Sequence, residues 1–195
     1  MGEANNPDDD EAEGLCGKLL IAMPSMGDPR FEKTVIYMCA HSDDGALGLV
    51  VNRPAGNVKR EDLFRQLEIE PGPGTVGRIH YGGPVETQRG FVLHSSDWSL
   101  EEATLEVDDR FSMTATVDVL KAIAEGVGPR RSIIALGYSG WAGGQLESEL
   151  RRNGWLTVDA DEELVFSLAD DEKWSAALRR LGIDPALLSA EGGNA

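Results

Sequence analysis

The sequence predicts an α+β fold in one domain, with a mixed or mostly antiparallel sheet. Strand-like stretches outnumber helical ones and do not alternate strictly with them. The stretches KTVIYMCAH (33–41) and ALGLVVN (46–52) are separated only by SDDG, which makes a hairpin. No repeat or linker divides the 195 residues, a length suited to one core.

The elements follow in order. Residues 1–14 are polar and acidic and read as a disordered tail, with the domain running from 15 to 195. KLLIAM (18–23) reads as a buried strand, and PSMGDPRF (24–31) as loop. The hairpin comes next, and Pro54 is expected to end it. In VKREDLFRQL (58–67), Leu63, Phe64 and Leu67 share a helical face, with Asn57 as the expected cap. PGPG (71–74) is loop, and RIHYGG (78–83) and GFVLHS (90–95) read as strands separated by PVETQR. HYGGPVE (80–86) contains a Gly-Gly-Pro that reads as a turn. Segments 104–107 and 111–114 are short strands around a second Asp-Asp turn.

TVDVLKAIAEG (116–126) reads as a helix capped by Thr116, with Val119, Leu120, Ile123 and Ala124 inward and Gly126 as its stop. RSIIALG (131–137) is a strand. GYSGWAGG (137–144) is then expected to turn into a helix reaching Asn153 and stopping at Gly154. WLTV (155–158) and ELVFS (163–167) are strand candidates. DDEKWSAALRRLG (170–182) is a helix with Trp174, Ala177, Leu178 and Leu181 inward.

Charge narrows the function. Thirty-four acidic residues against eighteen basic ones give a net charge of −16. Nucleic acids are held largely by Lys and Arg on phosphates, so direct DNA or RNA contact is not expected. The same field disfavours anionic membrane surfaces. Arg130, Arg131, Arg151 and Arg152 are the candidates for a local basic patch. The acidic start gives no signal segment, and no run approaches the roughly 18 apolar residues of a membrane span. A cytoplasmic protein is expected. Cys16 and Cys39 read as two reduced thiols packed as small apolar groups, although strand geometry would allow them to pair.

The glycine-rich stretch 137–144 was tested against three motifs. A Walker A loop needs Gly-Lys-Ser/Thr, but Gln145 follows Gly143-Gly144. A dinucleotide fingerprint needs Gly-x-Gly-x-x-Gly, which the spacing 137, 140, 143, 144 does not give. A nucleophile elbow needs Gly-x-Ser-x-Gly, but Trp141 follows Gly140. What remains is a tight strand-to-helix corner with Tyr138 and Trp141 as packing anchors, or a ligand turn presenting backbone amides. Glu147 and Glu149 near the helix start would repel an anion there. Glu147 and Arg151 have the spacing of an exposed i,i+4 pair. His41, His80 and His94 lack metal-ligand spacing. Cys39 and His41 would share a strand face, but two groups do not make a site. No metal or cofactor is expected.

The stretches LLIAMPSMGDPRFEKTVIYMCAHSDDGALGLVVNRP, HYGGPV, GYSGWAGGQLESELRRNGWL and KWSAALRRLGIDPALLS resemble, in this order, the AlgH/YqgE family of small bacterial proteins. The resemblance implies an α+β single domain with a mixed, barrel-like β-sheet flanked by helices, in the bacterial cytosol. It implies no established reaction, and some members are labelled transcriptional regulators. The pattern matches at Pro24, Asp28, Phe31, His41, Asn52, Pro54, Gly140, Trp141, Gly144 and Gln145, among others.

From residues and resemblance together, the expected function is non-enzymatic binding or regulation through a protein or small-molecule partner, without direct nucleic-acid or membrane contact. The candidate ligand-binding residues are Asp28, His41, Asn52, Ser139, Gly140, Trp141, Gly144 and Gln145. The alternative is an enzyme with its pocket near 137–145. That reading needs a polar cleft joining two or more of His41, Asn52, Asp28 and Ser139.

Overall fold

The computed structural model describes residues 14–189, so the tail expected over 1–14 lies, except for Gly14, outside the described residues. The fold is α+β: one domain with a curled half-barrel sheet and several helices around it. Ten strands form the sheet: β1 (Lys18–Ala22), β2 (Val35–Ser42), β3 (Gly45–Val50), β4 (Pro54–Lys59), β5 (Arg78–Tyr81), β6 (Val85–Ser95), β7 (Thr104–Glu106), β8 (Phe111–Thr114), β9 (Ser132–Ala142) and β10 (Trp155–Asp159). The helices are α1 (Arg60–Gln66), α2 (Val117–Glu125), α3 (Gln145–Arg151), α4 (Asp170–Arg180) and α5 (Pro185–Ser189).

The strand order is β10-β1-β2-β3-β9-β6-β8-β7, with antiparallel neighbours. β9 is where the sheet branches. One edge pairs with β6, while the other pairs first with β5, in parallel, and then with β3. β4 adds to β5.

Both faces of the central strands are covered, so the strands read as continuous apolar runs. Leu19, Ile21, Val35, Tyr37, Leu93 and Ile133 face inward, onto Trp174, Ala177 and Leu178 of α4. The alternate residues Leu20, Ala22, Ile36 and Met38 face α3 through Leu146. Further along the outer face, Val92 and Ile134 meet Phe64 of α1 and Val119 and Ile123 of α2. Each such side chain removed from water contributes about 1.5–3 kcal/mol.

The hairpin ends at Val50, ahead of Pro54, and Pro54 then opens a further strand, β4. Several expectations fail for identifiable reasons. Lys59, not Asn57, stands at the N-cap of α1, and Thr116 at the α2 cap bonds no amide. Leu67 and Leu181 sit just past their helices and are largely exposed. ELVFS is a π-helical turn, not a strand. Leu164 and Val165 are buried, and the Asp161 carboxylate accepts from the Leu164 amide at 2.8 Å, which starts the turn. β6 starts five residues earlier than expected, at Val85.

The largest correction concerns the glycine-rich stretch. The strand does not stop at Gly137 but continues to Ala142, leaving only Gly143–Gly144 as the turn into α3. Gly82–Gly83 is likewise more than a turn. A Cβ on Gly83 would stand 2.1 Å from the Tyr138 carbonyl carbon, and one on Gly82 2.2 Å from the Gly137 oxygen. Gly82, Gly83 and Gly137 let backbone cross backbone, with Gly137 in the left-handed region at φ +73°.

Candidate functional site

β9 carries Trp141 to the end of the sheet, and α3 starts three residues after it ends. Gly144 precedes α3 in the left-handed conformation, φ +76°, which a side chain rarely adopts. This geometry places Gln145 and Glu149 one turn apart on one side of α3. Glu149 then gathers three donors. Its Oε2 accepts the indole N–H of Trp141 at 3.0 Å and of Trp155 at 2.7 Å, and its Oε1 accepts the Gln145 side-chain amide at 3.0 Å. Gln145 closes the ring by accepting the Ala142 amide at 3.1 Å. The two indoles meet edge to face at 6.0 Å, and Phe31 meets Trp155 the same way at 5.6 Å.

Opposite stands the loop that follows β1. Asp28 caps its second turn by accepting the Arg30 amide at 3.0 Å, and pairs with the Arg30 guanidinium at 2.7 Å. That hydrogen bond from Arg30 holds the Asp28 carboxyl below the usual carboxylate range. Asn52 and Arg53 fix the far side of the loop. Asn52 Oδ1 accepts the Val35 amide at 2.8 Å and its Nδ2 donates to the Lys33 carbonyl at 2.9 Å. Arg53 donates to the carbonyls of Arg30 and Glu32.

Between loop and helix lies a cavity of about 620 Å³. Asp28, Gly140, Trp141 and Gln145 line it, together with Arg30, Phe31, Glu149 and Arg152. Four of the eight candidate residues therefore meet at one place. The other four do not line it. His41 faces a neighbouring depression of about 510 Å³, which Gly140 and Trp141 also border. Asn52 holds the loop, Gly144 makes the turn, and Ser139 is sealed inside, donating to the Gly82 carbonyl at 3.2 Å. The cleft that an enzyme reading asked of Asp28, His41, Asn52 and Ser139 is not formed.

His41 is placed by a bulge. The β2–β3 register shifts between Met38 and Ala40, so Cys39 is an extra residue on β2. Cys39 packs in the inner cluster, while His41 turns to the other face and meets Glu147 Oε1 at 2.6 Å. The shared face expected of Cys39 and His41 is lost. Glu147 thus spends its carboxylate on His41 rather than on an exposed pair with Arg151. Burial opposes its ionisation, but its own backbone amide and His41 outweigh this and hold the carboxyl low. Cys16 and Cys39 are free thiols, and burial pushes the Cys39 thiol up.

The four arginines do not form one patch. Arg130 and Arg131 are held by Glu162, while Arg152 borders the cavity. Glu149, Arg30, Arg152 and Trp155 were missed as site residues. The one available signal was the Gln145–Glu149 spacing of four on a short helix. A second polar cluster was also missed. His80 Nε2 contacts both Asp170 oxygens at 3.0 Å, and Asp170 accepts from Lys173, which also donates to the Val51 carbonyl at 2.8 Å.

Comparison with known proteins agrees with this architecture. Residues 19–186 match the model of the AlgH-like family, DUF179. A UPF0301 protein of Rhodospirillum rubrum is 56% identical over 182 residues, covering 93% of this chain and 94% of the relative. One from Afipia carboxidovorans is 54% identical over 189 residues, covering 93% and 90%. The solution structure of AlgH from Pseudomonas aeruginosa superposes with a TM-score of 0.77 at 44% identity, covering both chains fully. A crystal structure from Corynebacterium diphtheriae, at 21% identity and TM-score 0.68 over 97% of this chain and 93% of its own, shares the fold. On this match of family, sequence and fold, the chain belongs to the AlgH-like, UPF0301 family.

Proposed function

We propose that this chain is a non-enzymatic binding protein that takes a small molecule or a segment of a protein partner into the cavity between the 24–31 loop and α3. The observation that carries the reading is how the cavity's acids are used. Glu149 is committed to two indoles and an amide, and Asp28 to Arg30. These bonds fix a shape; they do not poise a proton. The volume, about 620 Å³, lies within the range of small-molecule sites, and aromatic walls beside a few polar groups fit such a site. Any influence on gene expression would be indirect, because the net charge of −16 opposes contact with phosphates. Neither nucleic acid nor membrane is a partner in this reading. Two free thiols fit a reducing cytoplasm.

A thermal-shift screen of metabolites and nucleotides tests the proposal, run on the wild type and on Gln145→Trp. Gln145 is exposed at the rim, so the larger ring obstructs the cavity without entering the core. A ligand should raise the wild-type melting temperature and leave that of the variant unchanged. A ligand that stabilises both equally, or one that the protein chemically converts, would refute it.

A further inference from the structure

On the other side of the same loop lies a second cavity, of about 410 Å³, enclosed by the 23–33 segment, α4 and α5. We infer that it is a binding site for a small organic ammonium ion.

Its floor is Trp174. The indole N–H is spent on the Ala22 carbonyl at 2.9 Å, which fixes the ring, and Lys33 lies over the ring with its Nζ 5.7 Å from the centroid. An indole face attracts cations through its quadrupole, best when water is thinned around it. Here the protein's own ammonium already uses that attraction. Two carboxylates, Asp28 and Glu32, stand on the lining, and Met23, Met26 and Leu188 supply polarisable and apolar walls. Arg30 keeps Asp28 ionised.

The backbone adds a second, independent observation. Lys33 is a non-glycine residue at φ +51°, a conformation that costs of order 1 kcal/mol and persists only where the surroundings impose it. The surroundings do so here, through Asn52 on the Lys33 carbonyl and Arg53 on that of Glu32. This conformation holds the Lys33 ammonium over the indole, where an incoming cation would have to compete with it. Hard metal ions are a poor match, since they ask for six or more oxygens and the only acidic side chains on this lining are Asp28 and Glu32. Alkylammonium groups match the ring, the acids and the thioethers together. The chain's net charge of −16 raises the local concentration of any such cation.

The site is distinct from the cavity before α3, and its failure leaves the function proposed above standing. The test uses the full chain, ¹⁵N-labelled, at physiological ionic strength. Choline is the probe, and 3,3-dimethyl-1-butanol, its uncharged carbon analogue, is the control. Choline should shift the Trp174 indole resonance, and the analogue should need at least about tenfold more to do so. Lys33→Gln removes the internal competitor and should tighten choline binding several-fold, while Glu32→Gln should weaken it. Both residues are exposed, so neither change threatens folding. Equal binding of choline and the analogue, no shift of Trp174 by choline, or weaker binding in Lys33→Gln would each overturn the inference.

Discussion

Glu149 shows how one residue organises the corner. A carboxylate that accepts two indole N–H groups and an amide makes three charge-assisted hydrogen bonds, each stronger than a neutral one. Its removal leaves two buried indoles unpaired, at about 1–3 kcal/mol each. Glu149→Ala should therefore lose about 2–6 kcal/mol of stability by urea unfolding. Gln145→Ala, which gives up exposed partners, should lose only about 1 kcal/mol. Equal losses would mean that the indoles do not depend on Glu149. In the sequence this residue reads only as an acid opposing an anion. Its role depends on Trp155, which folding brings from beyond the helix, and no local pattern links the two.

Elements were legible where one rule decided them. β1, the β2–β3 hairpin, α2 and α4 follow from apolar period and turn chemistry, and they stand where expected within a residue or two. Elements failed where a distant partner decided them. Glycines at 137 and 140 look like a turn, yet they lie inside β9 because Gly82–Gly83 must pass against its backbone. His41 changes face through a bulge that its own strand does not announce. Half of the candidate ligand residues thus meet at one cavity, while Asn52, Ser139 and Gly144 serve backbone shape and His41 faces a neighbouring depression.

The docking of α4 carries a pH signature. Burial works against the ionised Asp170, but His80 and Lys173 outweigh it and hold the carboxyl below the usual range. A depressed folded-state value stabilises the fold above the ordinary aspartate value near ~3.9, and that stability is lost as pH falls through the folded value. Lys173 acts at the other end. Burial pushes its ammonium below the ordinary lysine range, partly offset by Asp170, so stability rises as pH climbs toward that range. Asp170→Asn should be less stable than wild type at neutral pH, and the gap should narrow below about pH 4. Urea midpoints across pH 7 to 3 would show this, and curves that stay parallel would remove Asp170 from the account.

For the whole molecule, charge and architecture bear on the partners proposed above. The central strands are covered on both faces, and the net charge is −16. Arg130 and Arg131 are paired with Glu162, whereas Arg152 borders the cavity. Duplex DNA should show no mobility shift with this chain even at low salt, where phosphate contacts are strongest. A salt-sensitive shift would contradict that expectation.

The corner of β9 and α3 is a wall of the cavity that the proposed function has a ligand enter. The most direct measurement is the indole N–H spectrum of the ¹⁵N-labelled chain, titrated with a compound that raises its melting temperature. Trp141 and Trp155 share the Glu149 carboxylate, so their signals should move together while Trp98, in the separate cluster further along the outer face, stays fixed. Movement of Trp98 with Trp141 and Trp155 unchanged would place the ligand elsewhere and contradict the account.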